Sequence, residues 1–253
     1  MTIPGRTALI TGGSQGIGEA IARRLAAEGV RIGVVASSDL AKAEAVAASL
    51  PNGPHAAFVA DVRDTVLVNA LVADAETRFG GIDILINSAG VFYPTPAGST
   101  DEASYDRMVD INVKGTWNAI NAAAPLMKAR KRGWIVNLGS VVAAMGFGGY
   151  AVYCATKAAI VMMTRALAIE LAPHGISVNC LSPGNTATPM NLDIRTKPEL
   201  APMLEGMRIR TPTGRTHSSS EDMANIVAFM VSDAARAMHG ANILADEGFS
   251  AGM

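Results

Sequence analysis

The sequence predicts a doubly wound parallel α/β sheet of about seven strands with helices on both faces, and three observations predict it. Short β-branched apolar runs recur along the chain, they are apolar at successive rather than alternate positions, and a helical pattern separates each run from the next. A strand covered by helices on both faces is apolar throughout, whereas a strand with one wetted face alternates.

Taken in order, strands are expected at 8–10, 32–35, 57–60, 84–86, 135–138, 176–181 and 243–244. Helices are expected at 16–28, 39–50, 64–79, 102–128, 150–171 and 220–231. Gly29 and Gly80 follow helical runs where a left-handed cap is needed, and Ser220 precedes Glu221 and Asp222 as an N-cap with acids in the first turn. One stretch, 185–219, breaks the alternation with Pro189, Pro198, Pro202 and Pro212 and two short helix-capable pieces, around Asp193 and at 199–207. A long irregular insertion in a compact domain usually forms a lid or binding loop. With 253 residues, 49% of them hydrophobic, one domain is expected over 1–253.

Composition excludes several classes of partner. A net charge of -1 with basic residues dispersed gives no footprint for nucleic acid or an anionic membrane, so the ligand is expected to be a small molecule. No export signal precedes the first strand, and the richest apolar region, 151–172, is interrupted by Lys157, Arg165 and Glu170, so a cytoplasmic protein without a membrane span is expected. Cys154 and Cys180 form no CxxC pair and are expected as free thiols. His55, His174, His217 and His239 have no metal-ligand spacing, and no catalytic metal is expected.

After the first strand stands Thr11-Gly12-Gly13-Ser14-Gln15-Gly16-Ile17-Gly18, opening a helix. Backbone N–H groups and the positive helix end face whatever lies above the strand, and glycines let an anion approach without a Cβ in the way. The position fits the pyrophosphate of a dinucleotide. The same residues satisfy GxSxG, the nucleophile elbow of serine hydrolases, with Asp222 and His239 as nominal partners for Ser14. Too little chain precedes Ser14 to supply an oxyanion hole, which disfavours that alternative.

Tyr153 and Lys157 stand four residues apart on one expected helix, so phenol and ammonium share a face. A nearby cation favours the phenolate, lowering the phenol from its usual value of about 10 and making Tyr153 a usable acid/base.

Four elements occur together and in order: TGGSQGIG at 11–18, NSAG at 87–90, Ser140, and YCATK at 153–157. This combination resembles the classical short-chain dehydrogenase/reductase family along essentially the whole chain. The resemblance implies a Rossmann-type fold and hydride transfer between a nicotinamide cofactor and a small alcohol or ketone of polyol, sugar or hydroxy-acid type. It implies Tyr153 as general acid/base, Lys157 as the residue that lowers its pKa and holds the nicotinamide ribose, Ser140 on the substrate oxygen, and Asn112 as support for a proton-relay water by a local helix interruption.

It also implies cofactor contacts: Gly12, Ser14, Gln15, Gly16, Ile17 and Gly18 near the pyrophosphate, Asp61 and Val62 at the adenine, and Asn87, Ala89 and Gly90 along the adenosine. Pro183, Gly184, Thr186 and Thr188 resemble the turn that reads the nicotinamide carboxamide. Departures from the family pattern are Ser88 within NSAG, His239-Gly240, and Asp246-Glu247-Gly248 near the C-terminus.

At the end of the second strand Ala36 replaces the carboxylate that selects NAD, and Ser37 and Ser38 can donate to a 2'-phosphate. Lys42 offers a cation one turn further on, whereas Asp39 reaching the ribose would favour NAD; the balance leans to NADP over NAD. Phe92, Tyr93, Val141, Val142, Met145, Phe147, Tyr150, Asn185, Met190, Met203 and Met207 are expected around a mostly apolar substrate pocket.

Two alternatives accompany this reading. One is 3-oxoacyl-carrier-protein reductase activity, with Lys128, Arg130, Lys131 and Arg132 as a landing patch for an acidic carrier, although cations at a helix end more often complement its dipole. The other is a dinucleotide sensor without turnover, which would not need the Tyr153 and Lys157 pair. The resemblance further implies a homotetramer joined through 102–128 and 150–171, the latter with an apolar stripe at Ala158, Val161, Met162 and Leu167.

Overall fold

A computed structural model describes residue 3 and residues 5–251. The remaining positions of the expected 1–253 domain, Met1, Thr2, Pro4, Gly252 and Met253, lie outside the described residues. Seven strands appear in chain order: β1 (Thr7–Thr11), β2 (Arg31–Ala36), β3 (Ala56–Val59), β4 (Ile84–Asn87), β5 (Gly133–Leu138), β6 (Ile176–Pro183) and β7 (Asn242–Ala245). They form one parallel sheet in the order β3-β2-β1-β4-β5-β6-β7. Every strand expected from the sequence is present.

The helices are α1 (Gly16–Ala27), α2 (Leu40–Ser49), α3 (Thr65–Phe79), α4 (Glu102–Val109), α5 (Gly115–Arg130), α6 (Ala151–Leu171), α7 (Leu192–Thr196), α8 (Ala201–Arg210) and α9 (Ser220–Met230). Successive strand residues serve opposite faces. Ala8 and Ile10 of β1 pack with Ile21, Leu25, Met223 and Val227 of α1 and α9, whereas Leu9 packs with Leu71, Ile120 and Leu167 of α3, α5 and α6. Both faces of β1 are therefore dry, and β4 is likewise buried throughout, which is why these central strands read as continuous apolar runs; the edge strands β3 and β7 are only partly covered.

Three expectations need correction. The single helix expected at 102–128 is two helices joined by a π-turn, Asp110–Lys114, at the local interruption that the resemblance implied for Asn112, whose carboxamide bonds the Val91 main chain. The N-cap of α9 is Ser219, not Ser220: Ser219 and Asp222 form a reciprocal capping box, while the Ser220 hydroxyl donates to the Ala187 carbonyl oxygen. The stretch Ala151–His174 is long and apolar enough to cross a membrane; here it packs on β6 and carries Tyr153 and Lys157.

Chain order reverses around β1, whose neighbours are β2 and β4. Segments leaving those two strands diverge, and a crevice opens at the carboxyl ends between them.

Candidate active site

The crevice is a cleft of 690 Å³ running from the β1 turn, past the end of β2, to the start of α6. Gly12 has φ 65°, and a Cβ there would stand 2.8 Å from the Ala89 nitrogen, so the turn closes tightly on β4. A Cβ on Gly18 would meet the Gly12 carbonyl oxygen at 2.3 Å. Gly18 thus serves helix packing and does not line the cleft, whereas Gly12, Ser14, Gln15, Gly16 and Ile17 do. Gln15, the N-cap residue of α1, makes no side-chain cap, which leaves first-turn N–H groups for a ligand. That donor set fits a pyrophosphate.

At the end of β2, Ser37 and Ser38 line the cleft. The Asp39 carboxylate caps α2, accepting from the Lys42 N–H at 3.0 Å, and the Lys42 ammonium bonds the Gln15 side-chain oxygen. Asp39 is therefore engaged locally and a cation stands beside the serines. Asp61 and Val62 line the next part of the wall. The Arg63 guanidinium grips Asp61, at 2.6 Å for the closest pair, and holds its carboxyl below the usual carboxylate range. Asn118 donates to the Val62 carbonyl oxygen at 2.9 Å and fixes that loop.

Ala89 and Gly90 line the cleft, but Asn87 does not. Its amide is 3% exposed and donates to the Asn137 side-chain oxygen at 2.8 Å, while its own Oδ1 is a buried atom without a partner among the described residues. Asn87 belongs to the sheet interior, and its expected adenosine contact is corrected to a structural placement.

Tyr153, Ser140 and Lys157 converge at the inner end. Tyr153 and Lys157 are buried on α6, and Ser140, just after β5, stands beside the phenol while its Oγ accepts from the Val142 N–H at 3.4 Å. The Lys157 ammonium donates to the Leu138 carbonyl oxygen at 2.8 Å and lies 5.6 Å from the Tyr153 ring centroid. Asn112 is fully buried behind them. Its amide accepts from the Val91 N–H at 2.8 Å and donates to the Val91 carbonyl oxygen at 3.0 Å and the Thr156 hydroxyl at 3.2 Å.

Burial pushes Tyr153 up to about 12, against the neighbouring Ser140 hydroxyl that lowers it, and pushes Lys157 down to about 8. The expected lowering of the phenol by Lys157 is thus corrected: desolvation of the ring outweighs a cation already bonded to a carbonyl.

After β6, Pro183, Gly184, Thr186 and Thr188 line the cleft, and Thr188 packs 3.5 Å from the position a Cβ would take on Gly16. This closes one side of the cleft across the glycine turn. Phe92, Val141, Val142, Met145, Phe147, Asn185, Met190 and Met207 form the pocket beside Tyr153. Tyr93, Tyr150 and Met203 are outside that lining. The Tyr93 hydroxyl donates to the Ser104 carbonyl oxygen at 2.7 Å, and Tyr150 stacks on Phe92 with centroids 4.6 Å apart.

Sequence reasoning missed Arg107, Arg215, His217, Glu247 and Phe249 on this wall. No motif marks them; they arrive from a helix, the far end of the 185–219 segment and the turn after β7.

Residues 12–250 match the family described as Enoyl-(Acyl carrier protein) reductase. The chain is 36% identical over 240 residues to the 3-oxoacyl-[acyl-carrier-protein] reductase FabG of Staphylococcus aureus, covering 94% of this chain and 95% of that one. It is 37% identical to the 2,3-dihydro-2,3-dihydroxybenzoate dehydrogenase of Bacillus subtilis, covering 99% and 98%. The structure of a gluconate 5-dehydrogenase from Burkholderia cenocepacia in complex with NADP and tartrate superposes with a TM-score of 0.92 at 31% identity, covering 99% and 97%.

Fold, site and relatives together define a Rossmann-type oxidoreductase that takes NADP or NAD and acts on an alcohol or ketone. The chain belongs to the classical short-chain dehydrogenase/reductase family.

Proposed function

We propose that the chain reduces or oxidises a small polar carbonyl or alcohol of polyol, sugar or hydroxy-acid type, with NADP as the preferred dinucleotide. The observation that carries this reading is the buried Tyr153, Ser140 and Lys157 cluster beside a pocket whose inner wall is apolar and whose rim carries Asn185, Arg215, His217 and Glu247. Polar groups at the rim suit a substrate with hydrogen-bonding groups remote from the reacting carbon. The tartrate held by the gluconate 5-dehydrogenase is a compound of that type.

The nicotinamide dinucleotide supplies or accepts the hydride when bound. Tyr153, neutral at pH 7, gives its proton to the carbonyl oxygen in reduction and recovers it in oxidation. Ser140 bonds the same oxygen and orients it. Lys157 holds a cation beneath the phenol, and Asn112 fixes the Val91 backbone that lines the site. Gly12, Ser14, Gln15, Gly16 and Ile17 would hold the pyrophosphate, with Gly18 supporting their turn. Asp61, Val62, Ala89 and Gly90 would hold the adenosine, and Pro183, Gly184, Thr186 and Thr188 the carboxamide. Ser37, Ser38 and Lys42 would take a 2'-phosphate.

The carrier-protein reading has a relative in FabG, but its landing patch loses support here. Lys128 pairs with Glu170 at 2.8 Å, Arg130 with Glu76, and Arg132 with Asp83 at 3.1 Å. These residues also end α5 just before β5 begins, at the opposite end of the sheet from the cleft.

The 185–219 segment is proposed as the lid of one domain, the two free thiols support a reducing, cytoplasmic setting, and a homotetramer is proposed through α5 and α6. Trp117, Met162 and Ile169 are exposed there; Val161 and Leu167 of the expected stripe are instead buried in the chain's own core.

Fluorescence titration with NADPH and NADH, followed by a panel of small alcohols and ketones, tests the reading. Tyr153→Phe should lower turnover by about 10²–10⁴-fold with dinucleotide binding kept. Unchanged turnover would sink the mechanism.

A further inference from the structure

Beyond β7 the chain turns back at 246–249, closed by the Phe249 N–H on the Asp246 carbonyl oxygen at 3.0 Å. Both central residues have positive φ, 58° at Glu247 and 83° at Gly248. A turn with that pattern favours Asn, Asp or Gly at its first central position, where a longer side chain crowds the backbone. Glutamate there is an outlier, and an outlier persists when surrounding contacts require it.

Those contacts reach the outgoing end of the lid. The Ser218 hydroxyl donates to Glu247 Oε1 at 3.0 Å, and the Arg215 guanidinium lies 3.5 Å from the same oxygen. Ser218 is one half of the lid's neck: its N–H donates to the Asn185 carbonyl oxygen at 2.9 Å, and its carbonyl oxygen accepts from the Ala187 N–H at 2.9 Å. Asn185 in turn donates its side-chain amide to the Thr216 carbonyl oxygen at 2.5 Å. The intervening chain therefore hangs from a paired neck, and Glu247 ties that neck to the sheet through β7. Arg210, stacked 4.9 Å over the Phe249 ring, and Pro212, packed on Gly248, extend the same fastening.

We propose that Glu247 is a positioning residue that sets substrate specificity: its carboxylate fastens Ser218 and Arg215 to the turn after β7 and so fixes the lid over the pocket beside Tyr153. The inference rests on the reading of 185–219 as a lid over a substrate site. Glu247 and Arg215 both line that cleft, so the fastening also decides where the polar rim stands.

The test compares the full-length protein with Glu247→Gly and Glu247→Gln by amide hydrogen exchange, melting temperature and steady-state kinetics. Glycine accepts positive φ without crowding, so its fold is expected to melt no lower than the parent. In Glu247→Gly, exchange across 188–217 should quicken about tenfold, the effect of losing a charge-assisted hydrogen bond, while protection of the sheet is unchanged. Glu247→Gln, which keeps a neutral acceptor, should fall between. With the best alcohol or ketone from the panel, KM should rise about tenfold in Glu247→Gly with kcat within about twofold.

Equal lid exchange in Glu247→Gly and the parent overturns the fastening. Faster exchange spread over the sheet with a lower melting temperature also overturns it, since that is a general structural role. Faster lid exchange with unchanged KM overturns the link to specificity. Exchange is read without substrate, so failure of the proposed chemistry, seen as unchanged turnover in Tyr153→Phe, is separate from failure of the fastening.

Discussion

The Lys157 ammonium donates to the Leu138 carbonyl oxygen at 2.8 Å, which places a buried cation at the end of β5 and 5.6 Å from the centroid of the Tyr153 ring. The lysine is held by one carbonyl rather than by a carboxylate, and burial brings it down to about 8 from 10.5. Between those two values the unfolded chain binds more protons than the folded one, so stability from this group rises with pH. It is fully present above 10.5 and lost as pH falls through about 8. Tyr153 acts in the opposite sense, its contribution being present below 10 and lost as pH rises through about 12. Chemical denaturation of the parent and Lys157→Met from pH 7 to 10 should show the parent gaining on the variant above about pH 8. A parent that loses ground over that interval would contradict the buried-cation account.

Ser140 stands beside the Tyr153 phenol and lowers it against its desolvation. Ser140→Ala should therefore lower kcat by about 10²-fold, the scale of one lost oxyanion donor. It should also move the alkaline limb of the pH-rate profile upward. A profile unchanged in position would leave Ser140 as a substrate contact alone.

Gly12→Ala combines a φ of 65° with a Cβ 2.8 Å from the Ala89 nitrogen, a backbone atom that cannot yield cheaply. The left-handed conformation costs about 1–2 kcal/mol and the overlap about 1–3 kcal/mol more. Calorimetry should show the destabilisation, and NADPH titration should show binding weakened at the same site. Full affinity in a well-folded Gly12→Ala would separate the turn from the dinucleotide.

Lys42, bonded to Gln15 beside Ser37 and Ser38, is the cation placed to take a 2'-phosphate. Lys42→Ala should weaken NADPH about tenfold with NADH little changed, and should reduce the salt dependence of NADPH binding. An equal loss for both dinucleotides would refute Lys42 as the discriminating group.

Asn112→Leu removes three hydrogen bonds and strands the Val91 N–H and carbonyl. The expected cost is about 2–4 kcal/mol, measured by denaturant unfolding, with turnover reduced at least about tenfold. A variant as stable as the parent would mean that water replaces the amide.

Much of the architecture was legible because the central strands β1 and β4 are buried along their whole length and several helices carry local caps, as Asp39, Asp64, Asp101 and Ser219 do for α2, α3, α4 and α9. The run at 84–86 and the turn at 11–18 needed no tertiary information: continuous apolarity marks a doubly covered strand, and closely spaced glycines mark a backbone that must admit an anion. The break in the helix at 102–128 was visible only through Asn112, since the bond that draws its amide out of the helix goes to Val91, distant in sequence. Ser219 was displaced from notice by Ser220 because both precede the same acids, and only the backbone geometry decides which one caps.

The sequence by itself determined the parallel sheet, the glycine-rich turn after its first strand and the shared helix face of Tyr153 and Lys157, because periodicity and short motifs are local properties of the chain; Ser140 and Asn112 were singled out only through the family resemblance. Tertiary structure alone decided that desolvation raises the Tyr153 phenol, that Asn87 faces the interior, and that Lys128, Arg130 and Arg132 are spent on ion pairs. It also decided that Glu247 meets Ser218 and Arg215. Each of these depends on groups far apart in sequence, and burial, pairing and electrostatic environment come into being only when the chain has closed around them.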